Sequence, residues 1–580
     1  MRENKLDAVI IPSGDPHQSE YIADYWAIRA WMSGFSGSSG TLIVLSDYAA
    51  LWTDPRYFLQ AEEELRDSCI SLHKQKVPHA PEHIPWLIKK LSSGNRIGLD
   101  GRLFSISQIS NLKAQISALQ ISLNTQYDPF DRLWSDRPPL PLTPVFEFPA
   151  PYAYPPGREK INKVREKLLD LQADYLILSA LDDIAWVLNL RGNDIPFNPL
   201  FYAYLIIGKN TSLFFINEKK IPPDLRDALC FEKITLLPYH SIEESITRLG
   251  KQATFVIHPE SLNSALYQVI PSENILFQPN WIMELKAIKT EFEVKHLKHA
   301  ARKDGIALLR AFRWLEKGLK EGKRISEFDF AEKCSFFRSQ QPDYQGESFN
   351  AIVGFNQNGA VIHYRPNPQS AAIIEADGLL LVDSGGQYFD GTTDITRTIF
   401  IGQHPSDEMK KHFTLVLKGF ISLASVQFPP GTVGMQLDTL ARMSLWKYGL
   451  DFAHGTGHGV GFYLSVHEGP QGFANNPSTS RGTTAFQPGM ITTNEPGLYF
   501  EGKYGIRIEN MLLCKKQSHS FLCFEDITLF PIATNLINLS LLNPDEKEWL
   551  NHYHRFVWDG LSPHISDDEK IWLHQQCAPI

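Results

Sequence analysis

The chain has 580 residues, 43% of them apolar and 21% charged, with a net charge of −9. That length excludes a single core and predicts roughly three or four domains. The composition is that of a soluble globular protein, and the mild negative charge lacks the basic excess expected of a nucleic-acid partner.

The first segments alternate strand and helix. LDAVII, GTLIVLS and AALWTD read as strands, and RYFLQAEEELRD after Asp54-Pro55 reads as a helix, an α/β pattern. This predicts an N-terminal α/β domain over 1–136. Residues 137–157 carry eight prolines, which neither a helix nor a central strand accepts, so they read as a linker. A second α/β domain is expected over 158–285. It opens on REKINKVREKLLDLQ, with Ile161, Val164, Leu168 and Leu171 at helical spacing, and continues through DYLILS, FYAYLIIG, TSLFFI and TFVIH as strands. The shared plan suggests an old duplication.

A third region, expected over 286–535, begins with a long helix. Thr290 and Glu293 form a capping-box pattern, and Val294, Leu297, Ala301, Leu308, Phe312 and Leu315 give the helix an apolar face. Gly-rich, strand-like segments follow. The last stretch, 536–580, is helical and bears Trp549, Trp558 and Trp572, apolar surface that suits a neighbour or a second subunit. The six cysteines are scattered without a CxxC pair, so neither a zinc knuckle nor a disulfide framework is expected. The N-terminus, MRENKLDAVIIPSG, has no export-signal pattern, and the longest apolar runs are strand-length. A cytoplasmic location and no membrane partner are therefore expected.

Five residues near the C-terminal end carry the chemistry: Asp383, Asp394, His458, Glu495 and Glu509. Each lies in a segment dense in Gly, Thr, Asn or Pro. Four carboxylates brought together could not stay ionised and buried, but two divalent cations balance them, so these segments read as a two-metal hydrolytic centre. Asp383 ends the apolar run GLLLVD, Asp394 begins DITRTIFI, and the turn signal Asp390-Gly391 between them predicts a hairpin. His454 and His458 lie in HGTGHGVG, too rich in glycine for a helix. No glutamate follows His454, so a helical HExxH site is excluded, and Val460 breaks a GxGxxG phosphate loop. Glu495 sits in NEPG. Glu509 sits in GIRIEN, where strand alternation puts it on one face with Arg507. Taken singly, each residue is more often structural: a strand-end aspartate, a satisfied histidine, a solvated glutamate.

Together, DSGGQYFDGTTDITRT, HGTGHGVG, NEPG and GIRIEN resemble the metal-binding segments of the aminopeptidase P branch of the pita-bread metallopeptidases. IPSGDPHQSEYIA, GFSGSSGT, TDPRYFLQAEEE and LRGNDIPFNPLF extend the resemblance to the N-terminal domains of the long-chain, three-domain enzymes of that family. The implied architecture is α/β and α+β: two creatinase-N-like α/β domains, then a pita-bread catalytic domain. The resemblance assigns Asp383, Asp394, His458, Glu495 and Glu509 as metal ligands. His363 and His467 are implied to handle the scissile amide and its carbonyl, His454 to line the proline-side pocket, and Arg507 to sit beside the last glutamate. GFNQNGAVIHYRP, ahead of His363, departs from the family's small-residue pattern.

The implied cofactor is a pair of divalent ions, manganese first, with cobalt or zinc able to substitute. A hydroxide bridging them would attack the first peptide bond of a peptide with proline second. Glu495 is the candidate for proton transfer. A prolidase, restricted to dipeptides, and a non-catalytic binding module of the same fold are the alternatives. The family and the C-terminal apolar helices together suggest a homodimer.

Overall fold

The computed structural model describes residues 1–76, 81–250, 253–477, 479–517 and 520–580. It divides into two compact units, Met1–Ile282 and Met283–Ile580.

The first unit holds two six-stranded sheets. The strands of the first are β1 (Ala8–Pro12), β2 (Thr41–Leu45), β3 (Ala49–Thr53), β4 (Ile70–Lys74), β5 (Arg96–Gly98) and β6 (Ser122–Asn124). They lie in the order β4-β3-β2-β1-β5-β6. A short pair joins β7 (Phe146–Glu147), which lies between the sheets in sequence, to β9 (Leu190–Arg191), which follows the first strand of the second sheet. The second sheet comprises β8 (Tyr175–Leu178), β10 (Tyr204–Gly208), β11 (Ser212–Phe215), β12 (Ile234–Leu237), β13 (Phe255–Ile257) and β14 (Ile275–Phe277). Its order, β12-β11-β10-β8-β13-β14, reproduces the first strand for strand. So does the polarity: two antiparallel pairings in the middle and parallel pairings outside them. The shared plan read from the sequence is thus a shared topology.

Local differences have local causes. The helix after Asp54 is short, Phe58–Glu64, preceded by a 3-10 turn that the Asp54 carboxylate caps by accepting from the Arg56 N–H. FYAYLIIG is buried throughout, yet only Tyr204–Gly208 pairs as a strand; burial, not ladder pairing, makes its first residues apolar. The helix Gly157–Asp170 buries Ile161, Val164 and Leu168 as its spacing predicts.

In the second unit the helix Glu291–Lys320 carries its capping box and buries Leu297, Ala301, Leu308, Phe312 and Leu315. The strands that follow are β15 (Tyr344–Glu347), β16 (Ile352–Phe355), β17 (Gly378–Ser384), β18 (Gly386–Tyr388), β19 (Gly391–Thr392), β20 (Ile395–Ile401), β21 (Gln427–Phe428), β22 (Gly457–Gly459), β23 (Glu468–Phe473), β24 (Ile491–Asn494), β25 (Gly497–Phe500), β26 (Tyr504–Arg507), β27 (Asn510–Lys516) and β28 (Leu522–Asp526). A three-stranded sheet, β16-β17-β20, and a six-stranded one, β21-β28-β27-β24-β22-β23, supply most of the site.

The C-terminal helices Pro544–Leu561 and Asp567–Gln576 bury Leu550, Tyr553, Val557, Leu561 and Leu573 in the core of their own unit, and Trp549, Trp558 and Trp572 pack against it. The tryptophan surface offered for a second subunit is therefore spent largely within the chain. All six cysteines are free thiols. Among the described residues no helix is long and apolar enough to cross a membrane.

Candidate metal centre

Two interrupted hairpins build the site. β17 pairs with β20, placing Asp383 opposite Thr396, with Asp394 one residue before β20 begins. The connection is not one tight turn. β18 and β19 form a small hairpin of their own, and its loop is Phe389-Asp390, one residue earlier than the sequence signal. Gly391 follows at φ 134°, a backbone angle that favours glycine.

The second hairpin is broken in mid-course. β24 pairs with β27 up to Asn494 opposite Asn510, and β25 pairs with β26 from Gly497 opposite Arg507. Glu495 and Glu509 both lie in the gap, so Glu509 is not the mid-strand residue that alternation suggested. Freed from the ladder, their backbones bond elsewhere: Glu509 N–H donates to Thr396 at 3.1 Å and Glu495 N–H to Thr456 at 2.8 Å. The break turns two glutamates inward where a continuous hairpin would have passed them by.

His458 stands on β22, packed between β23 and β24. A Cβ at Gly457 would meet Thr493 O at 1.9 Å, and one at Gly459 would meet Glu468 O at 2.2 Å. Only glycine lets the three strands close on the histidine. His458 Nδ1 lies 3.0 Å from Gly459 O, to which it donates. That leaves the Nε2 lone pair facing inward, 3.5 Å from Asp394 and 3.6 Å from Glu495. Donor atoms of Asp394, His458 and Glu509 all lie within 4.8 Å of one another.

The electrostatics ask for a cation. Asp383, Asp394, His458 and Glu509 are buried and Glu495 is half-buried. One guanidinium, Arg507, bonds to Asp383 at 2.5 Å, and the other Asp383 oxygen is buried without a hydrogen-bond partner. Burial, then repulsion from Asp383 and Glu495, pushes Asp394 well above the usual carboxylate range. Burial and the same crowding, led by Asp394, do likewise to Glu509. Burial raises Glu495 to about 7, Arg507 opposing and Asp383 assisting. Carboxylates so crowded, with an orphaned oxygen and an imidazole lone pair among them, match the donor set of a hard or borderline divalent cation.

The other residues expected at the site are distributed as follows. His467 stands edge-on to His458, with ring centroids 4.2 Å apart. Arg507 and His454 are joined by a residue the sequence reading missed: the Tyr499 hydroxyl accepts from Arg507 at 2.7 Å and lies 2.8 Å from His454 Nε2. Its ring fits because a Cβ at Gly497 would fall 2.4 Å from the hydroxyl. Burial, against the pull of Arg507, raises the phenol to about 12, so it stays protonated. No local spelling marks it: only the pairing of Gly497 with Arg507 shows that Tyr499, two residues on, lies on the same face. Thr396, also missed, donates to Glu509 at 2.7 Å and accepts from Arg507 at 3.1 Å. His363 sits half-buried in the segment between the turn Asn356–Ala360 and β17. That segment is held by Glu327, another residue not singled out, whose carboxylate accepts from Phe355 N–H, Asn358, the Tyr364 hydroxyl and Ala372 N–H at 2.6–3.0 Å.

Comparison with known proteins decides the family. The chain is 39% identical to a probable Xaa-Pro aminopeptidase P of Laccaria bicolor over 100% of its own length and 92% of that protein's. This chain belongs to the aminopeptidase P family. Aminopeptidase P2 of Arabidopsis thaliana is likewise 39% identical, covering 99% of this chain and 86% of that one. Residues 295–516 match metallopeptidase family M24, 1–125 and 136–293 match creatinase/prolidase N-terminal domains, and 520–580 match the C-terminal region of the same peptidases. The expected fold class, two creatinase-type domains ahead of a metallopeptidase domain, is thereby met. Among solved structures, the X-prolyl aminopeptidase of Caenorhabditis elegans, described as a cytosolic enzyme with a di-nuclear active site, superposes with a TM-score of 0.95 at 36% identity, over 99% of this chain and 95% of that one. The Xaa-Pro dipeptidase of Bacillus anthracis, at 24% identity and TM-score 0.52, shares the fold over 65% of this chain and 99% of its own.

Proposed function

We propose that Asp383, Asp394, His458, Glu495 and Glu509 hold two divalent ions, manganese being the first choice, and that the chain removes the first residue from peptides with proline second. The observation that carries this reading is a cluster of four carboxylates, three buried and Glu495 half-buried, faced by one guanidinium and by the Nε2 of His458. When bound, such an ion pair supplies an ionised water near neutral pH and polarises the scissile carbonyl.

The remaining work falls to the chain's own side chains. Arg507 and Thr396 hold Asp383 and Glu509 in place. Glu495 is assigned to proton transfer, the proton being taken up and released at a carboxylate oxygen during turnover. His467, beside His458, and His363 are assigned to the carbonyl oxygen and the leaving nitrogen. His454, fixed by Tyr499, is assigned to the pyrrolidine ring. Proline selection has a physical basis: a Pro nitrogen offers no N–H, so a pocket that recognises ring shape in place of a donor accepts it.

The dinuclear description and location of the C. elegans relative, together with six free thiols here, support a cytosolic enzyme loaded with two ions. The test is hydrolysis of an Xaa-Pro-Xaa tripeptide and its Xaa-Pro dipeptide, with manganese and after chelation. Manganese-dependent release of the first residue from the tripeptide is expected. Cleavage of the dipeptide alone, or none by protein holding two ions, would overturn the reading.

A further inference from the structure

A second group of metal-competent side chains lies outside the site described above. The helix Glu291–Lys320 presents His296 and His299 toward the Phe389-Asp390 loop. Asp390 Oδ1 lies 2.5 Å from His296 Nδ1 and 4.0 Å from His299 Nδ1. Its other oxygen is taken by Lys303, which also bonds Asp343 at 2.8 Å. The division of labour is useful: the lysine fixes the carboxylate and aims the remaining oxygen at two imidazoles. Asp390 is only 3% exposed, whereas the His299 side chain is 40% exposed, so the group is rigid on one side and reachable from solvent on the other. Helix and loop already touch, since a Cβ at Gly391 would fall 2.5 Å from Leu297.

We propose that His296, His299 and Asp390 form a further metal site that takes one borderline divalent cation of the zinc or nickel class. All three donor atoms lie within 4.8 Å of one another. A tetrahedral ion with bonds of about 2.0–2.2 Å places its donors about 3.3–3.6 Å apart, a range the 2.5 and 4.0 Å separations bracket. The short His296–Asp390 contact is a hydrogen bond without the ion, so binding exchanges a proton for a metal, with His296 drawing back slightly from Asp390 and the exposed His299 moving in. Lys303, Arg302 and Lys295 stand close by. Asp390 is the one carboxylate that offers the ion a donor, Asp343 being paired with Lys303, so the site lacks the oxygen-rich ligation that calcium, magnesium or manganese take, whereas neutral imidazoles select zinc, nickel or copper. Three protein ligands leave the fourth position to water. The ion would pin the helix to the loop from which β19 leads directly into Asp394, and so would stiffen the approach to that residue. The site shares no side chain with the Asp394 cluster, and the proposal stands whatever that cluster does.

The experiment uses tag-free full-length protein, saturated with manganese and then titrated with zinc chloride, in wild type and in H296A/H299A. Metal content after desalting is read by mass spectrometry. Exchange at the Asp394 cluster is common to both proteins, so the difference between them counts the new site. One zinc ion fewer per chain in the variant, and loss of the zinc-induced rise in melting temperature, are expected. Equal zinc content in the two proteins would overturn the proposal. If the double variant does not fold, H299Q, altered at an exposed side chain, decides: at least about tenfold weaker uptake of that ion is expected, and unchanged uptake refutes the site.

Discussion

Two buried regions of the catalytic unit hold carboxylates in opposite ways. Glu327 is fully buried and accepts hydrogen bonds from two backbone amides, an asparagine and a tyrosine. Asp304 is answered by a two-point ion pair with Arg338 at 2.7 and 3.0 Å and by the Tyr388 hydroxyl. Neither needs anything from outside the chain. At the metal centre the ratio is reversed. Asp394 and Glu509 are as deeply buried, yet the surrounding charges are mostly their own kind. The difference separates a carboxylate used to hold the fold from one held in readiness for a ligand: the first arrives with its donors, the second with competitors.

Three perturbations test the contrast. The largest effect is expected from E509Q. It should lower kcat on the order of 10³-fold and reduce metal content. Yet the metal-free variant should melt no lower than metal-free wild type, because burial and crowding already favour the neutral carboxyl form of Glu509, which the amide resembles. Activity, metal analysis and calorimetry on the same preparations check both halves; a large loss of metal-free stability would put Glu509 with Glu327 instead.

Next is the pH dependence of the chelated protein. Folded Glu495 titrates at about 7 against an ordinary 4.5. Between those values the native chain holds a proton that the unfolded chain has released. Stability without metal is therefore full below about pH 4.5 and is lost as pH rises through 7, by about 3 kcal/mol from this group. Manganese competes with that proton, so the loaded protein should gain stability over the same window. Urea midpoints at pH 5 and 8, with E495Q as the reference, read the sign directly; parallel slopes with and without metal would count against the assignment.

The smallest effect belongs to E327Q. Replacing one acceptor oxygen by an amide turns a donor toward donors, at a cost of about 1–3 kcal/mol. Because the clamp spans the segment that carries His363, KM or kcat should change severalfold while metal content stays constant, and a loss of metal would show that the two regions are not independent.

What the sequence yielded, and what it did not, follows from range. The capping box at Thr290, the apolar stripe from Leu297 to Leu315 and the strands around Asp383 and Asp394 depend on neighbours a few residues away, and they were legible. So was the grouping of carboxylates in Gly- and Pro-rich segments, where short-range spelling departs from any regular element. The Thr396–Glu509 contact joins residues 113 apart, and no local period announces it. The same is true of the break that frees Glu495 and Glu509: GIRIEN alternates as a strand should, and only pairing with a distant partner shows where the ladder stops. Tyr499 was hidden for a related reason, its role being set by a cross-strand arginine. The C-terminal tryptophans were recognisable as apolar, but which surface they cover is a property of packing.

The matching strand order of the two N-terminal sheets has a consequence for assembly. Neighbouring segments that share one pairing scheme invite an incomplete chain to pair a strand with the wrong sheet, a recognised failure of tandem folds. The spellings here differ where it counts, AVIIP against YLIL in the central position and TLIVL against YLIIG beside it. Residues 137–157, in the stretch between the sheets, carry eight prolines, residues that no central strand accepts. Dissimilar wording over a common plan thus favours pairing of each strand within its own sheet.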